Sequence, residues 1–298
     1  MSTELIERAT HSKDISRSKR KLTGTGQFAL VFRYFALVIL LAIAVLPIYI
    51  MVINSVKGIT GVSQSAAFIP PTHLNFAAWG PTWKILQGPM MRTLFFVLQS
   101  SIISAIIGSI NGFVFAKWRF KGSSFIFTTF LFGMFIPYQA IMIPLTQFNH
   151  WAGIGGTIYV LVFAHVIYGI PICTLIFRNY YAAIPNELIE AARVDGAGMV
   201  RIFRTIILPL SIPGFVVVLI WQFTSAWNDF LFAIFLTGGS PRLAVATTAL
   251  NFITGSGNQV YYGNNMTASL IVSIPTLLVY MFLGRYFLRG LLSGSLKG

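Results

Sequence analysis

The sequence predicts an all-α integral membrane protein with six transmembrane helices, and three observations carry that prediction. The chain of 298 residues is 56% hydrophobic, yet only 9% of its residues are charged. A water-soluble domain of this size carries about 25%. The apolar residues gather in six long segments, each able to cross a hydrocarbon core of about 30 Å at about 1.5 Å per residue. The basic residues are spread unevenly over the loops between them. In lipid such segments are helices, because every backbone N–H and C=O has to be satisfied within the segment.

The first segment, 29–52, follows the basic stretch SRSKRKL. Its apolar run is too long for a signal-peptide core and no small-residue cleavage site closes it, so a retained helix is expected. Residues 1–28 then form a basic tail and 29–298 the transmembrane domain. The second segment, 92–115, follows a Gly- and Pro-rich stretch over 53–91 that includes IPPTHLNFAAWGPTW, expected to be a loop. Arg92, at the outer end of this segment, is expected to snorkel. The third (124–145), fourth (156–177) and sixth (266–288) segments carry Pro137 and Pro144, Pro171, and Pro275. Such breaks are tolerated where protein or a watery cavity satisfies the freed carbonyls. The fifth, 210–236, contains the polar run WQFTSAWNDFLF, and a second loop rich in Gly, Asn, Ser and Thr follows over 237–265.

Orientation follows from Lys and Arg. With the N-terminus inside, 17 of the 21 basic residues fall on the inner side, and only Lys57, Lys84, Arg92 and Arg242 lie outside or at the outer boundary. Positive residues mark cytoplasmic loops, so both termini are expected in the cytoplasm of a multi-pass protein of the cytoplasmic membrane.

Several function classes are excluded or weakened. The net charge of +14 comes with no nucleic-acid motif and matches the basic loops of a membrane protein. No G-x-x-x-x-G-K-[ST] run cradles nucleotide phosphates, and no H-E-x-x-H run holds a metal. The four histidines are scattered; His165, in the fourth segment, reads as structural or pore-facing rather than as a metal ligand. Cys173 is the single cysteine, so neither a disulfide framework nor a thiolate site is available. No catalytic residues, metal or resident cofactor are expected. Asp229 is the clearest intramembrane acid, and one acid does not make a proton relay. Gln222, Trp227, Asn228 and Asp229 are the candidates for lining a path for a polar solute. An aromatic ring stacks on a sugar face while amide and carboxylate groups bond its hydroxyls. The alternative role for the four is helix–helix adhesion.

One stretch departs from the rest. NELIEAARVDGAGMVRIFRTIILPL, 186–210, holds three of the seven acidic residues of the chain, Glu187, Glu190 and Asp195. It reads as a short helix outside the membrane. Asn186 is placed to cap it, Glu187 and Glu190 suit its positive end, Gly196 is placed to end it, and Glu190 can pair with Arg193. Leu188, Ala191, Ala192 and Asp195 share one face at helical spacing. A helix lying on lipid headgroups favours bulky apolar and basic residues; alanines and acids favour docking into another protein.

The same residues carry a resemblance. Glu190-Ala191-Ala192, Gly196, Ile206, Leu208 and Pro209 reproduce the pattern E-A-A-x3-G-x9-I-x-L-P, and the chain resembles the permease subunits of bacterial and archaeal ABC importers. The C-terminal run GRYFLRGLLSGSLKG is similar to the second permease of the maltose-type carbohydrate importers. LIWQFTSAWNDFLFAIFL and NYYAAIPNELIEAARVDGAG look like its glucose/mannose branch. Gly284 stands before Arg285 where many relatives have Gln. The similarity runs over most of residues 30–298 and implies a type I importer fold with a cytoplasmic coupling helix, in a loop over about 178–209. It implies ATPase coupling by Glu187, Glu190, Ala191, Ala192, Asp195, Gly196, Ile206, Leu208 and Pro209. It further implies a second homologous permease, two ATP-binding subunits that use ATP and Mg, an extracytoplasmic solute-binding protein and a sugar substrate moved by alternating access. The competing class is a stand-alone secondary transporter or channel.

Overall fold

The computed structural model describes residues 24–59, 66–118, 120–255 and 262–295; the basic tail expected over 1–28 lies outside them as far as residue 23. The described residues are predominantly helical, with one isolated bridge between Lys57 and Asn75. The chain divides into two units, 1–50 and 51–298.

The first unit holds most of α1 (Gly24–Ser55). Val31, Phe32, Leu37, Leu40 and Ile43, which lie all round the helix, are exposed on it. Apolar residues on every side belong in lipid or against another helix.

The second unit is a bundle built around α2 (Trp79–Lys117) and α5 (Tyr159–Ala182). Lipid supplies no hydrophobic drive between helices, so helix pairs rely on close packing of small residues. On α2 the buried stripe is Ser100, Ser101, Ser104, Ala105, Gly108, Ser109 and Gly112. A Cβ on Gly108 would sit 2.4 Å from the Cβ of Cys173 on α5, and one on Gly112 would sit 2.6 Å from that of Phe177. Backbone meets side-chain root, and nothing larger than hydrogen fits between.

Two spans are bent. α3 (Ser123–Phe132) runs through a 3₁₀ turn, Gly133–Phe135, and meets α4 (Tyr138–Trp151) at 96°. Ile136 precedes Pro137 and is extended, with ψ 118°, because a residue before proline is driven out of the helical region. The second bend lies between residues 199–210 and α9 (Ile212–Trp227), at 76°. α1, α2, α5 and α12 (Tyr262–Ser295) are long and apolar enough to cross alone. Counting each bent pair as one crossing gives the six that the sequence predicts.

The boundaries differ from the sequence reading in three places. α2 begins at Trp79, inside the expected loop, and its 39 residues are longer than any bilayer core requires. Pro81 falls in the first turn, where a missing N–H costs nothing, and Thr93 Oγ1 takes up the carbonyl of Pro89 at 2.8 Å. The fifth segment does not run from 210 to 236: α9 ends at Trp227, and α10 (Leu231–Leu236) is a separate helix. The loop expected over 237–265 contains α11 (Ala246–Gly255). Arg92 does not snorkel; its Nε donates to the Ala244 carbonyl at 2.8 Å, and Thr93 Oγ1 accepts from the Ala246 N–H at 2.7 Å. Neighbouring residues of α2 thus hold the entry to α11.

Candidate functional site: a docking loop and a polar helix face

The loop leaves α5 at Ala183 and forms α6 (Asn186–Val194). Pro185 opens α6 with φ −56° and ψ 137°, and Glu187 lies in its first turn, where the helix end is positive. Asn186 does not cap it. Its Oδ1 accepts from Lys117 Nζ at 2.7 Å, and the same ammonium donates to the Ile184 carbonyl at 2.6 Å. Lys117 at the end of α2 therefore fixes where α6 starts.

The far end is a Schellman motif. Gly196 has φ +78°; its N–H donates to the Arg193 carbonyl at 3.0 Å, and the Ala197 N–H donates to that of Ala192 at 2.9 Å. A Cβ on Gly196 would meet nothing within 4 Å, so only the backbone conformation requires glycine within this chain.

Ile189, 3% exposed, anchors α6 from beneath, in a cluster with Phe113, Phe177, Tyr181, Ile202 and Ile207. Ala192 packs on the same cluster, so it is turned partly inward and is not on the free face with Leu188, Ala191 and Asp195. Glu187, Leu188, Glu190, Ala191, Val194 and Asp195 are exposed, Val194 to 88%. Arg193 does not pair with Glu190; its guanidinium lies over the ring of Trp118 at 4.4 Å. Among the described residues none of the three acids makes a salt bridge within the chain. The sequence reading missed Ile189, the one buried residue of α6.

Beyond Gly198 the chain forms α7 (Met199–Ile202), a π turn (Phe203–Ile207) and α8 (Leu208–Leu210). Pro209 has no N–H to continue the regular ladder, and the Leu208 N–H reaches back to the Phe203 carbonyl. Ile206 is half-buried, while Leu208 and Pro209 are exposed.

The four path candidates do not converge. Gln222 is buried, and its Nε2 donates to the His165 carbonyl at 2.9 Å. Trp227 is turned into the core, with Nε1 donating to the Val272 carbonyl at 3.0 Å and its ring stacked on Phe223. Asn228 is exposed and ends α9, its Nδ2 donating to the Thr224 carbonyl at 2.9 Å. Asp229 lies in the break after α9 and accepts from the N–H groups of Phe232 (3.4 Å) and Ala233 (3.1 Å). It therefore starts α10, and its Oδ2 is also 3.5 Å from His165 Nε2. The sequence held His165 and Asp229 apart; the fold places them side by side.

Gln222 lines a cleft of about 200 Å³ with Met134, His165, Tyr168, Trp221 and Ser225. Trp221, 46% exposed, and Ser225 were missed. Their spacing was a usable signal, because 221, 225 and 228 fall on one side of a helix and 223 and 227 on the other.

The family described as "Binding-protein-dependent transport system inner membrane component" matches residues 105–293. The xylose/arabinose import permease protein XacI of Haloferax volcanii is 32% identical, over 88% of this chain and 91% of that protein. The glucose import system permease protein GlcU of Saccharolobus solfataricus is 34% identical, over 89% and 95%. Among solved structures, a bacterial ABC transporter involved in import of the acidic polysaccharide alginate superposes with a TM-score of 0.77 at 20% identity, covering 89% of this chain and 98% of that one. With a match over residues 105–293 and relatives aligned over nearly their whole lengths, the chain belongs to the inner-membrane components of binding-protein-dependent transport systems, the permeases of ABC importers.

Proposed function

We propose that this permease moves a small sugar inward by alternating access, paired with a second homologous permease. Two ATP-binding subunits, using ATP and Mg, dock on the loop, and an extracytoplasmic solute-binding protein delivers the sugar. Both termini and the loop face the cytoplasm. The observation that carries this reading is α6: three exposed acids, none in a salt bridge among the described residues, on a helix fixed from beneath by Ile189 and at its ends by Lys117 and Gly196. A helix held this firmly, with its charges outward, is built to be pushed by something that reads carboxylates. The sugar class is supported by the relatives, named for import of xylose and arabinose and of glucose. The path is assigned to the face of α9 that carries Trp221, Gln222, Ser225 and Asn228. Asp229 and Trp227 hold that face in place from behind.

The test is reconstitution of the assembled importer in proteoliposomes, with radiolabelled glucose, xylose and arabinose as probes. Uptake of one of them should require internal or external ATP at the subunit side, and the sugar-loaded binding protein should raise ATP hydrolysis. Uptake by the purified chain alone, driven by an ion gradient, would establish the stand-alone carrier instead. Glu190→Lys and Gly196→Asp should each abolish uptake with the chain still inserted in the membrane. Full uptake in both variants would remove the coupling role of α6.

A further inference from the structure

The loop between α5 and α9 is closed at its neck by hydroxyl groups. Tyr181, on the last turn of α5, is fully buried, with its Oη 2.7 Å from Ser109 Oγ on α2 and 2.9 Å from Ser211 Oγ at the bend before α9. Ser211 Oγ also reaches the Ile207 carbonyl in the π turn. The Ser211 N–H, the regular helical donor to that carbonyl, is bonded to Leu208 instead, at 3.1 Å. Three hydroxyl protons suffice for the three contacts. Beside them Tyr180 Oη donates to the Leu210 carbonyl at 2.8 Å, and its ring covers Gly214 so closely that an added Cβ would sit 3.3 Å away.

Packing around this cluster is apolar. Phe177 and Phe215 meet edge to face at 4.6 Å, and Phe177 stacks on Tyr181 at 5.5 Å. Hydroxyl groups in such surroundings are costly to separate, because each would be left without a partner where water does not reach. The neck resists opening for that reason, while the loop's outer surface carries the exposed acids.

From this we infer that Tyr181, with Ser109 and Ser211, makes the 182–210 loop a single lever with the ends of α5 and α9 and passes its displacement to α2. Ser109 lies between Gly108 and Gly112, the two close approaches of α2 to α5, so a push at Tyr181 enters the bundle at a tight seam. Without the neck, the loop, α6 included, shifts against the end of α9 and ATP is hydrolysed without a matching movement of the helices. Tyr181 is here a positioning residue, and the inference rests on the reading of α6 as the docking helix.

The experiment uses the complete importer in proteoliposomes, with whichever of glucose, xylose and arabinose the unaltered complex takes up. Sugar transported per ATP hydrolysed is measured for Tyr181→Phe, Ser211→Ala, their combination, and Glu190→Lys. Tyr181→Phe keeps the ring and its packing but removes the hydroxyl bonded to both Ser109 and Ser211, and the ratio should fall by about threefold or more, the scale of a buried hydrogen bond lost. The double variant should lose less than the product of the two single losses, because both remove the contact between Tyr181 and Ser211. A role in folding alone would lower assembled complex, hydrolysis and uptake together and leave the ratio unchanged, and that result overturns the lever. Should Tyr181→Phe fail to assemble, Ser211→Ala decides by the same ratio. Loss of uptake in Glu190→Lys with an unchanged ratio in both neck variants refutes the lever alone. Unchanged uptake in Glu190→Lys refutes the docking reading beneath it.

Discussion

Ile189 and Glu190 are neighbours in the chain and opposites in the fold, one buried against Phe177 and Tyr181 and the other exposed. Their substitution should therefore fail differently. Ile189→Ala empties part of a core cluster, a change that costs about 2–5 kcal/mol where the site is closed. Trypsin should then cut at Arg193 in folded membranes much faster than in the unaltered chain. Glu190→Lys adds a trypsin site of its own, so cleavage after Arg193 is followed by fragment mass; that cleavage should stay as slow as in the unaltered chain while transport stops. Asp229 invites a similar separation of roles. Asp229→Asn keeps an oxygen for one of the two N–H groups of α10 and gives up the charge beside His165, so it should change apparent sugar affinity while basal hydrolysis by the complex persists. Unchanged affinity and rate would leave Asp229 with the start of α10 only. At this scale the sequence named the acids and Gly196 because charge and glycine are conspicuous in a chain with 9% charged residues. Which way Ala192 and Trp227 point was not legible, since that depends on how each helix is rotated against neighbours far away in the chain.

The contact between α2 and α5 is the element whose geometry leaves least room. Gly108→Ala adds one methyl group 2.4 Å from the Cβ of Cys173, and overpacking of this kind costs about 1–3 kcal/mol. Gly80→Ala, on the same helix but with nothing within 4 Å, is the control. Heating the detergent-solubilised protein and following the folded peak by size-exclusion should show a lower midpoint for the first and none for the second. The positions of the crossings were legible from apolar length alone. The breaks at Ile136–Pro137 and after Trp227 were not, because Pro144, Pro171 and Pro275 lie within continuous helices and look the same in sequence. What separates Pro137 is its place between a 3₁₀ turn and a new helix, which is a property of the pair and not of the proline.

The molecule as a whole has a surface divided by solvent. Most exposed residues on α1, α2 and α12 are apolar, whereas α9 exposes Trp221, Ser225 and Asn228 together. Polar side chains in a crossing helix face a cavity or another protein far more often than lipid. The isolated chain should therefore be short-lived in micelles, and co-expression with the second permease should raise its thermal midpoint; equal midpoints would mean that the α9 face needs no cover. The chain also has a single cysteine, and it is buried where α2 and α5 touch. Cys173 is thus out of reach of bulky thiol reagents in the folded protein. A spin label or fluorophore placed through Glu190→Cys or Ser225→Cys can report on loop and path during turnover, with no need to remove the native thiol and disturb that contact.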